Sequence, residues 1–182
     1  VPTRRIIMKK LAMLTVAAAL LLSHPAYAAS IKVPVNHVSA EGIGQEMGTV
    51  TFEDAPGGGL DILVDLSGLS KGEHGMHVHE NPTCAPAAGK DGKIGAALSA
   101  GGHYDPAKSG KHAGPEKAGH LGDLPFVTAN DHGVAQEKLH VRNLSTADIK
   151  NRSLMIHAGG DNYTDNPPLG GGGGRIGCGV IR

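Results

Sequence analysis

Neutral imidazole is the commonest metal ligand that side chains offer, and this chain carries eleven histidines. His77 and His79 stand one residue apart in "GMHVHE", Gly75 to Glu80. Further on, "GGHYDP", "KHAGP" and "GHLGD" supply His103, His112, His120 and Asp123, and "LMIH" ends on His157. Three imidazoles and a carboxylate suffice for a closed tetrahedral site, which suits zinc. His77, His79 and His157 make a nitrogen-rich set better suited to copper, although ligand type alone also admits zinc or nickel. Taken singly, each feature has a plainer meaning. An H-x-H pair is more often a polar pair on the wet face of a strand, Asp123 after "HLG" a turn residue, and a glycine run a flexible linker. Only their conjunction distinguishes a metal site.

Elements must hold these side chains in place. Side chains alternate along a strand, so His77 and His79 project from one face while Met76 and Val78 project from the other. Leu154 and Ile156 face opposite to His157 in the same way. In "GGLDILVDLSGL", Leu60, Ile62, Val64 and Leu66 alternate with Asp61, Leu63 and Asp65, the period-2 pattern of a strand with one buried face. Similar short runs lie at Ile31–Val38, Gly48–Glu53, Gly75–Glu80, Pro125–Ala129, Ser153–His157 and Gly177–Ile181. Glycines and Asn-Asp-Pro clusters punctuate them, which predicts an all-β antiparallel sandwich or barrel. Only Ser145–Ser153 reads as a short helical turn. Two stretches fall outside this plan, Asn81–Leu124 and Ala158–Arg175, the second containing "NPPLGGGGG". Structureless loops of such length are functional or disordered. The histidines in the first favour order through ligation, because metal-binding energy becomes folding energy.

Residues 1–28 read as upstream residues followed by a cleaved secretory signal peptide. "MKKLAMLTVAAALLLSHPAYA" has a basic start, an apolar core and small residues before a cut expected after Ala28. Met8 is the expected initiator. The apolar run Leu11–Leu22 is short for a bilayer span, so no stable membrane association is expected after cleavage. Residues 29–182 then form one domain with a single core. Export leads to the periplasm, an oxidising space in which Cys84 and Cys178, the only cysteines, are expected to pair rather than stay buried thiols. Such a bridge stabilises by about 4–5 kcal/mol on chain entropy. The whole-chain net charge of zero hides an asymmetry. Arg4, Arg5, Lys9 and Lys10 all lie in the leader, which leaves residues 29–182 net acidic. That balance argues against nucleic acid as a partner, and the absence of Trp against a carbohydrate-stacking surface.

In their order along the chain, "GMHVHE", "GGHYDP", "KHAGP", "GHLGDLP", "IHAGGDNYTD" and "GGGGRIGCGVI" resemble the copper/zinc superoxide dismutases, specifically the bacterial periplasmic branch, from about Gly42 to the end. The resemblance implies an eight-stranded antiparallel Greek-key β-barrel or sandwich with two long functional loops. It implies copper on His77, His79, His103 and His157, and zinc on His103, His112, His120 and Asp123, one ion of each per subunit, with His103 shared as a bridging imidazolate. It places Arg175 beside the copper, makes Asp161 the carboxylate linking a copper histidine to a zinc histidine, and matches Cys84 and Cys178 to the disulfide that anchors the first loop to the last strand. The implied activity is disproportionation of superoxide to dioxygen and hydrogen peroxide by alternate reduction and reoxidation of copper, with His103 carrying a proton. Zinc, which has no redox chemistry, would hold His103 and the loop in place and tune the bridge.

Because superoxide is an anion and the chain acidic, attraction is expected to be local, from the metals and Arg175, with Lys90, Lys93, Lys108 and Lys111 as candidate contributors. Gly170–Gly174 would deliver Arg175 to its position. His37, His74, His132 and His140 match no ligand position and read as surface or structural. The resemblance admits a monomer or a homodimer. Two other functions compete. A non-catalytic periplasmic copper/zinc-binding or delivery protein on the same fold predicts loss of a copper ligand or of the arginine, and both are kept. A zinc hydrolase with two cocatalytic ions relies on bridging carboxylates, whereas one Asp accompanies six histidines here.

Overall fold

β1 (Ser30–Ser39), β2 (Gly42–Asp54) and β3 (Leu60–Leu66) pair antiparallel in chain order. In β3 every second residue from Leu60 to Leu66 is buried, as the alternation predicts. The computed structural model describes residues 29–182, so the leader expected at 1–28 lies outside the described residues. The remaining strands are β4 (Gly72–His74), β5 (Met76–His79), β6 (Ala87–Ala88), β7 (Ile94–Gly95), β8 (Val127–Ala129), β9 (Ala135–Val141), β10 (Arg152–His157) and β11 (Arg175–Ile181). One short helix, α1 (Thr146–Ile149), falls inside the expected helical turn. Its start is capped where Asp148 Oδ2 accepts from the Ser145 N–H at 2.8 Å.

The principal sheet runs β5-β10-β11-β1-β2-β3-β9, and β4 pairs with β8. β4 and β5 are two halves of one strand interrupted at Gly75, whose N–H donates to Gly159 O and whose carbonyl accepts from the His157 N–H. A tight turn closed by the Asn130 N–H on Val134 O joins β8 to β9. The chain therefore returns from β9 through β8 and β4 to β5, and the sheet curls into an antiparallel barrel. With β4 and β5 taken together and the small β6–β7 hairpin set aside, the eight strands expected are present. Val33, Val50, Phe52, Leu60, Ile62, Met76, Val78, Leu154 and Ile156 fill its interior. Each such side chain stabilises the fold by about 1.5–3 kcal/mol through burial.

β9 was not expected from the sequence. In "AQEKLHV" only Ala135 and Val141 are buried, too few apolar residues for a periodic signal, and the strand exists because it pairs with β3 along its full length. The two long loops are also more structured than their composition predicts. The first contains the β6–β7 hairpin and a 3-10 turn at Leu98–Ala100, and the second a 3-10 turn at Pro168–Gly171. Cys84 and Cys178 are bonded as expected. With Val38, Ala97, Ala100 and Met155 they form a second, smaller apolar cluster between the first loop and the barrel wall. Among the described residues, no helix is long and apolar enough to cross a membrane.

Candidate metal centre

The site is built outward from β5. Met76 and Val78 point into the core, and His77 and His79 point the other way, as alternation requires. Yet all four are buried, because the long loops cover the outer face of the strand. β10 lies alongside, with Met155 opposite His77 and Ser153 opposite His79, and its last residue His157 completes the strand-borne set.

Two points of the first loop ride on β5 as though they were strand. His103 pairs with His79, and Asp123 with His77. Around them the Tyr104 N–H donates to Val78 O, the Val78 N–H to Gly122 O and the Leu124 N–H to Met76 O. A Cβ at Gly122 would lie 2.2 Å from Val78 O, so only glycine permits this approach. His112 and His120 sit on the excursion between these points, tied together by the His120 N–H on Lys111 O at 2.9 Å.

Two groups of side chains converge closely enough to hold an ion each. His77, His79, His103 and His157 offer nitrogens within 4.8 Å of one another, and so do atoms of His77, His103, His112 and Asp123. His77 and His103 stack at 3.9 Å between ring centroids, which is why both enter both groups. His120 lies at the margin of the second group, its Nδ1 3.4 Å from Asp123 Oδ1.

Hydrogen bonds fix which nitrogen is free in the rings of His77, His79, His112 and His157. His77 Nε2 meets Asp161 Oδ2 at 2.7 Å, His79 Nδ1 meets Gly101 O at 3.0 Å and His157 Nδ1 meets Gly173 O at 3.2 Å. Asp161 Oδ1 takes His112 Nε2 at 2.7 Å, so one buried carboxylate spans His77 and His112. An oxygen acceptor on one side assigns the N–H to that nitrogen and leaves a lone pair on the other. Among the described residues, the side-chain nitrogens left buried without a hydrogen-bond partner are His77 Nδ1, His79 Nε2, His103 Nε2, His112 Nδ1, His120 Nδ1 and His157 Nε2. His112 Nδ1 lies 3.0 Å from Asp123 Oδ2, close enough for charge attraction but without hydrogen-bond alignment. Six orphaned buried nitrogens are costly in an apo fold and natural in a metal centre.

Electrostatics separates the two groups. Burial lowers His77 to about 3 despite its bond to Asp161, and lowers His157 to about 4. Burial also holds His79 and His103 below the usual imidazole range. These rings are neutral near pH 7, the state a metal requires. His112 differs, for although burial opposes it, the Asp123 and Asp161 carboxylates raise it to about 9. Both carboxyls resist burial and stay below the normal carboxylate range through their histidine bonds.

Arg175, at the start of β11, donates from Nη1 to Ala97 O and from Nη2 to Gly101 O, each at 2.7 Å. Gly101 O thus serves both Arg175 and His79. The arginine's charge acts on His79 and His157, which puts it beside the strand-borne group. Lys90, Lys93, Lys108 and Lys111 are exposed. His132 and His140 are exposed and His37 is half-buried, but His74 is wholly buried, which corrects any surface reading of it. Its Nδ1 lies 2.8 Å from the backbone oxygen of His157 and its Nε2 2.8 Å from that of Ser70. The carbonyls of Gly101 and Gly173 were invisible to sequence reasoning, since backbone acceptors carry no residue signature.

Seven ligand-type residues, two imidazoles common to both groups and a neighbouring guanidinium constitute a donor set for two transition-metal ions, one all-nitrogen and one containing a carboxylate. A family model described as copper/zinc superoxide dismutase matches residues 46–181. A protein of Brucella abortus biovar 1 named superoxide dismutase (Cu-Zn) is 52% identical over 166 residues, which cover 89% of this chain and 94% of the relative. One of the same name from Escherichia coli strain K12 is 51% identical over 166 residues, covering 90% and 95%. The solved Cu/Zn superoxide dismutase from Brucella abortus superposes with a TM-score of 0.81 at 52% identity, covering 85% of this chain and 100% of that one. The monomeric copper, zinc superoxide dismutase of Salmonella enterica superposes with a TM-score of 0.74 at 51% identity and the same coverage.

Proposed function

Since the chain belongs to the copper/zinc superoxide dismutase family, we propose from that premise how its residues divide the work of the reaction. The protein is an enzyme that disproportionates superoxide to dioxygen and hydrogen peroxide, with copper and zinc as cofactors. Copper would be held by His77 Nδ1, His79 Nε2, His103 Nε2 and His157 Nε2, and zinc by His103 Nδ1, His112 Nδ1, His120 Nδ1 and an Asp123 oxygen. The carrying observation is the set of six orphaned buried nitrogens; the seventh, His103 Nδ1, lies 2.9 Å from Asp123 Oδ1, itself part of the zinc set. His77 lies near the zinc group by distance, but its Nε2 is committed to Asp161 and its one free nitrogen belongs with the all-nitrogen set. His120 then completes the zinc set.

When bound, copper supplies the one-electron exchange and zinc a fixed positive charge without redox chemistry. The chain supplies the rest. His103 Nε2 holds a proton between the two half-reactions, since it is a buried imidazole nitrogen with no competing partner. Arg175, fixed by two carbonyls, keeps its cation and draws the superoxide anion toward the copper side, although residues 29–182 are net acidic. Asp161 orients His77 and His112 together. Cys84–Cys178 holds the loop segment that carries Ala97 and Gly101, the acceptors for Arg175. Reconstituting metal-free protein with one equivalent each of copper and zinc, then assaying superoxide removal, tests the assignment. Full activity in His77→Ala or His157→Ala would end it.

Residues 1–28 are read as upstream sequence and a signal peptide cut after Ala28, and residues 29–182 as the enzyme, working in the periplasm without stable membrane association. The formed disulfide supports an oxidising compartment. N-terminal sequencing of the protein from a periplasmic fraction checks the cut. The enzyme works as a monomer or a homodimer, which sedimentation distinguishes.

A further inference from the structure

His112 is attached unlike the other ligands carried by the first loop. His103 and Asp123 are pinned to β5 by backbone pairing, and His120 is bonded to Lys111 of its own excursion. Among the described residues, the segment from Asp105 to His120 has two hydrogen-bonded ties to elements outside its loop. One is at Glu116, whose carboxylate accepts from the N–H and guanidinium of Arg142, beyond the end of β9. The other is at His112 itself, held at both ends by the second loop. Asp161 takes its ring, and the Asp165 carboxylate accepts its backbone N–H, at 3.1 Å to Oδ1 and 3.2 Å to Oδ2.

The turn that presents Asp165 is itself braced. Tyr163 stands in the left-handed region at φ 57°, a backbone conformation that a non-glycine residue holds only against steric resistance. Its hydroxyl accepts the Phe126 N–H at 3.0 Å, its ring lies along Phe126 at 5.8 Å between centroids, and its N–H donates to Asp161 Oδ1 at 2.8 Å. The ring also packs over Gly114, where a Cβ would come within 2.7 Å. Tyr163 thus wedges the turn between the segment carrying His112 and the chain leading into β8.

We infer that Asp165 is a positioning residue for the zinc half of the centre: by holding the backbone of His112 while Asp161 holds its ring, it sets where Nδ1 points and so selects for zinc retention. This rests on the reading of His112 as a zinc ligand. Asp165 belongs to neither group of converging donor atoms. Its carboxylate replaces the strand pairing that His103 and Asp123 enjoy and His112 lacks. An outer partner of this kind alters metal affinity by about 10–100-fold when removed.

The test uses the full protein and measures zinc dissociation by competition with a chromophoric chelator, copper binding by its visible band, and the d–d spectrum of cobalt at the zinc position. Asp165→Ala is expected to weaken zinc by about tenfold or more and shift the cobalt spectrum, with copper binding unchanged. Asp165→Asn, which keeps an acceptor oxygen, is expected to restore most of the affinity. Glu116→Gln is the control that loosens the same excursion elsewhere, and it is expected to leave zinc within about twofold of the unmodified protein. Zinc affinity unaltered in Asp165→Ala, or weakened as much by Glu116→Gln, would overturn the inference, as would an equal loss of copper. His112→Ala separates the two levels. If it loses zinc while Asp165→Ala does not, the positioning role alone fails. If it keeps zinc, the ligand assignment fails and the inference with it.

Discussion

The strand-borne and loop-borne halves of the centre solve the same problem by different means. His77, His79 and His157 sit on β5 and β10, where backbone ladders set their spacing and a packed core behind them sets their direction. His112 and His120 sit on an excursion with no ladder of its own, held by carboxylates, by each other and by a braced turn of the second loop. The strand-borne rings are neutral and desolvated, and His112 is pulled toward its charged form. Rigid position therefore comes from hydrogen-bonded backbone on one side and from buried polar side chains on the other. The second kind is vulnerable to single substitutions, because each bond is one side chain deep.

The sharpest way to break this contrast is on the strand side. His157→Ala removes the copper ligand proposed on β10, and superoxide removal is expected to fall to near the uncatalysed rate even with zinc retained. If the variant stays active, β10 does not carry a copper ligand. On the loop side, Gly170→Ala would place a Cβ 2.0 Å from Asp161 Oδ1 and 2.8 Å from His112 Nε2, at φ +75°. Zinc affinity is expected to drop about 10–100-fold, with copper affected less. Equal losses of both ions would mean that the two halves are not separately held.

Replacing Cys84 and Cys178 together by serine removes the covalent tie between the first loop and β11. Urea unfolding is expected to show a loss of about 4–5 kcal/mol, the copper side suffering first because Arg175 depends on Ala97 and Gly101. Unchanged arginine-dependent kinetics in that variant would show that the loop holds those carbonyls without its disulfide.

The smallest effect is the pH profile of metal-free stability. His77 and His157, near 3 and 4 in the folded state against about 6.5 unfolded, bind fewer protons when folded. Their contribution is present above about pH 6.5 and is lost as pH falls toward those folded values. His112, raised to about 9, contributes fully below about pH 6.5 and loses that contribution as pH rises through 9. Urea midpoints of the metal-free protein are thus expected to peak near neutrality. A His112→Asn variant should lose the alkaline limb and keep the acid one; retention of both limbs would remove His112 as the cause.

Much of the barrel was legible locally. Leu60–Leu66 declared its strand by strict alternation and folded as β3, and the other expected runs each overlap a strand in the structure. β9 was not legible, since its polar residues become strand only by pairing with β3. In the centre, residue type and order pointed to His77, His79, His103, His112, His120, Asp123 and His157. The partners that choose each ring's free nitrogen were partly hidden. Asp161 came from family resemblance, Asp165 stood inside a resembling motif with no role attached, and Gly101 O and Gly173 O came from no signal at all.

What the sequence determined by itself is which side chains can bind: alternation puts His77 and His79 on one face with Met76 and Val78 behind them, and the donor chemistry follows from side-chain type. Which nitrogens are offered, and how the loop-borne ligands come to face the strand-borne ones, was decided only in three dimensions. Lone-pair direction depends on acceptors that lie far away along the chain, Asp161 on His77 and Gly173 on His157, and only the closed barrel with both loops folded over β5 brings them within hydrogen-bond distance.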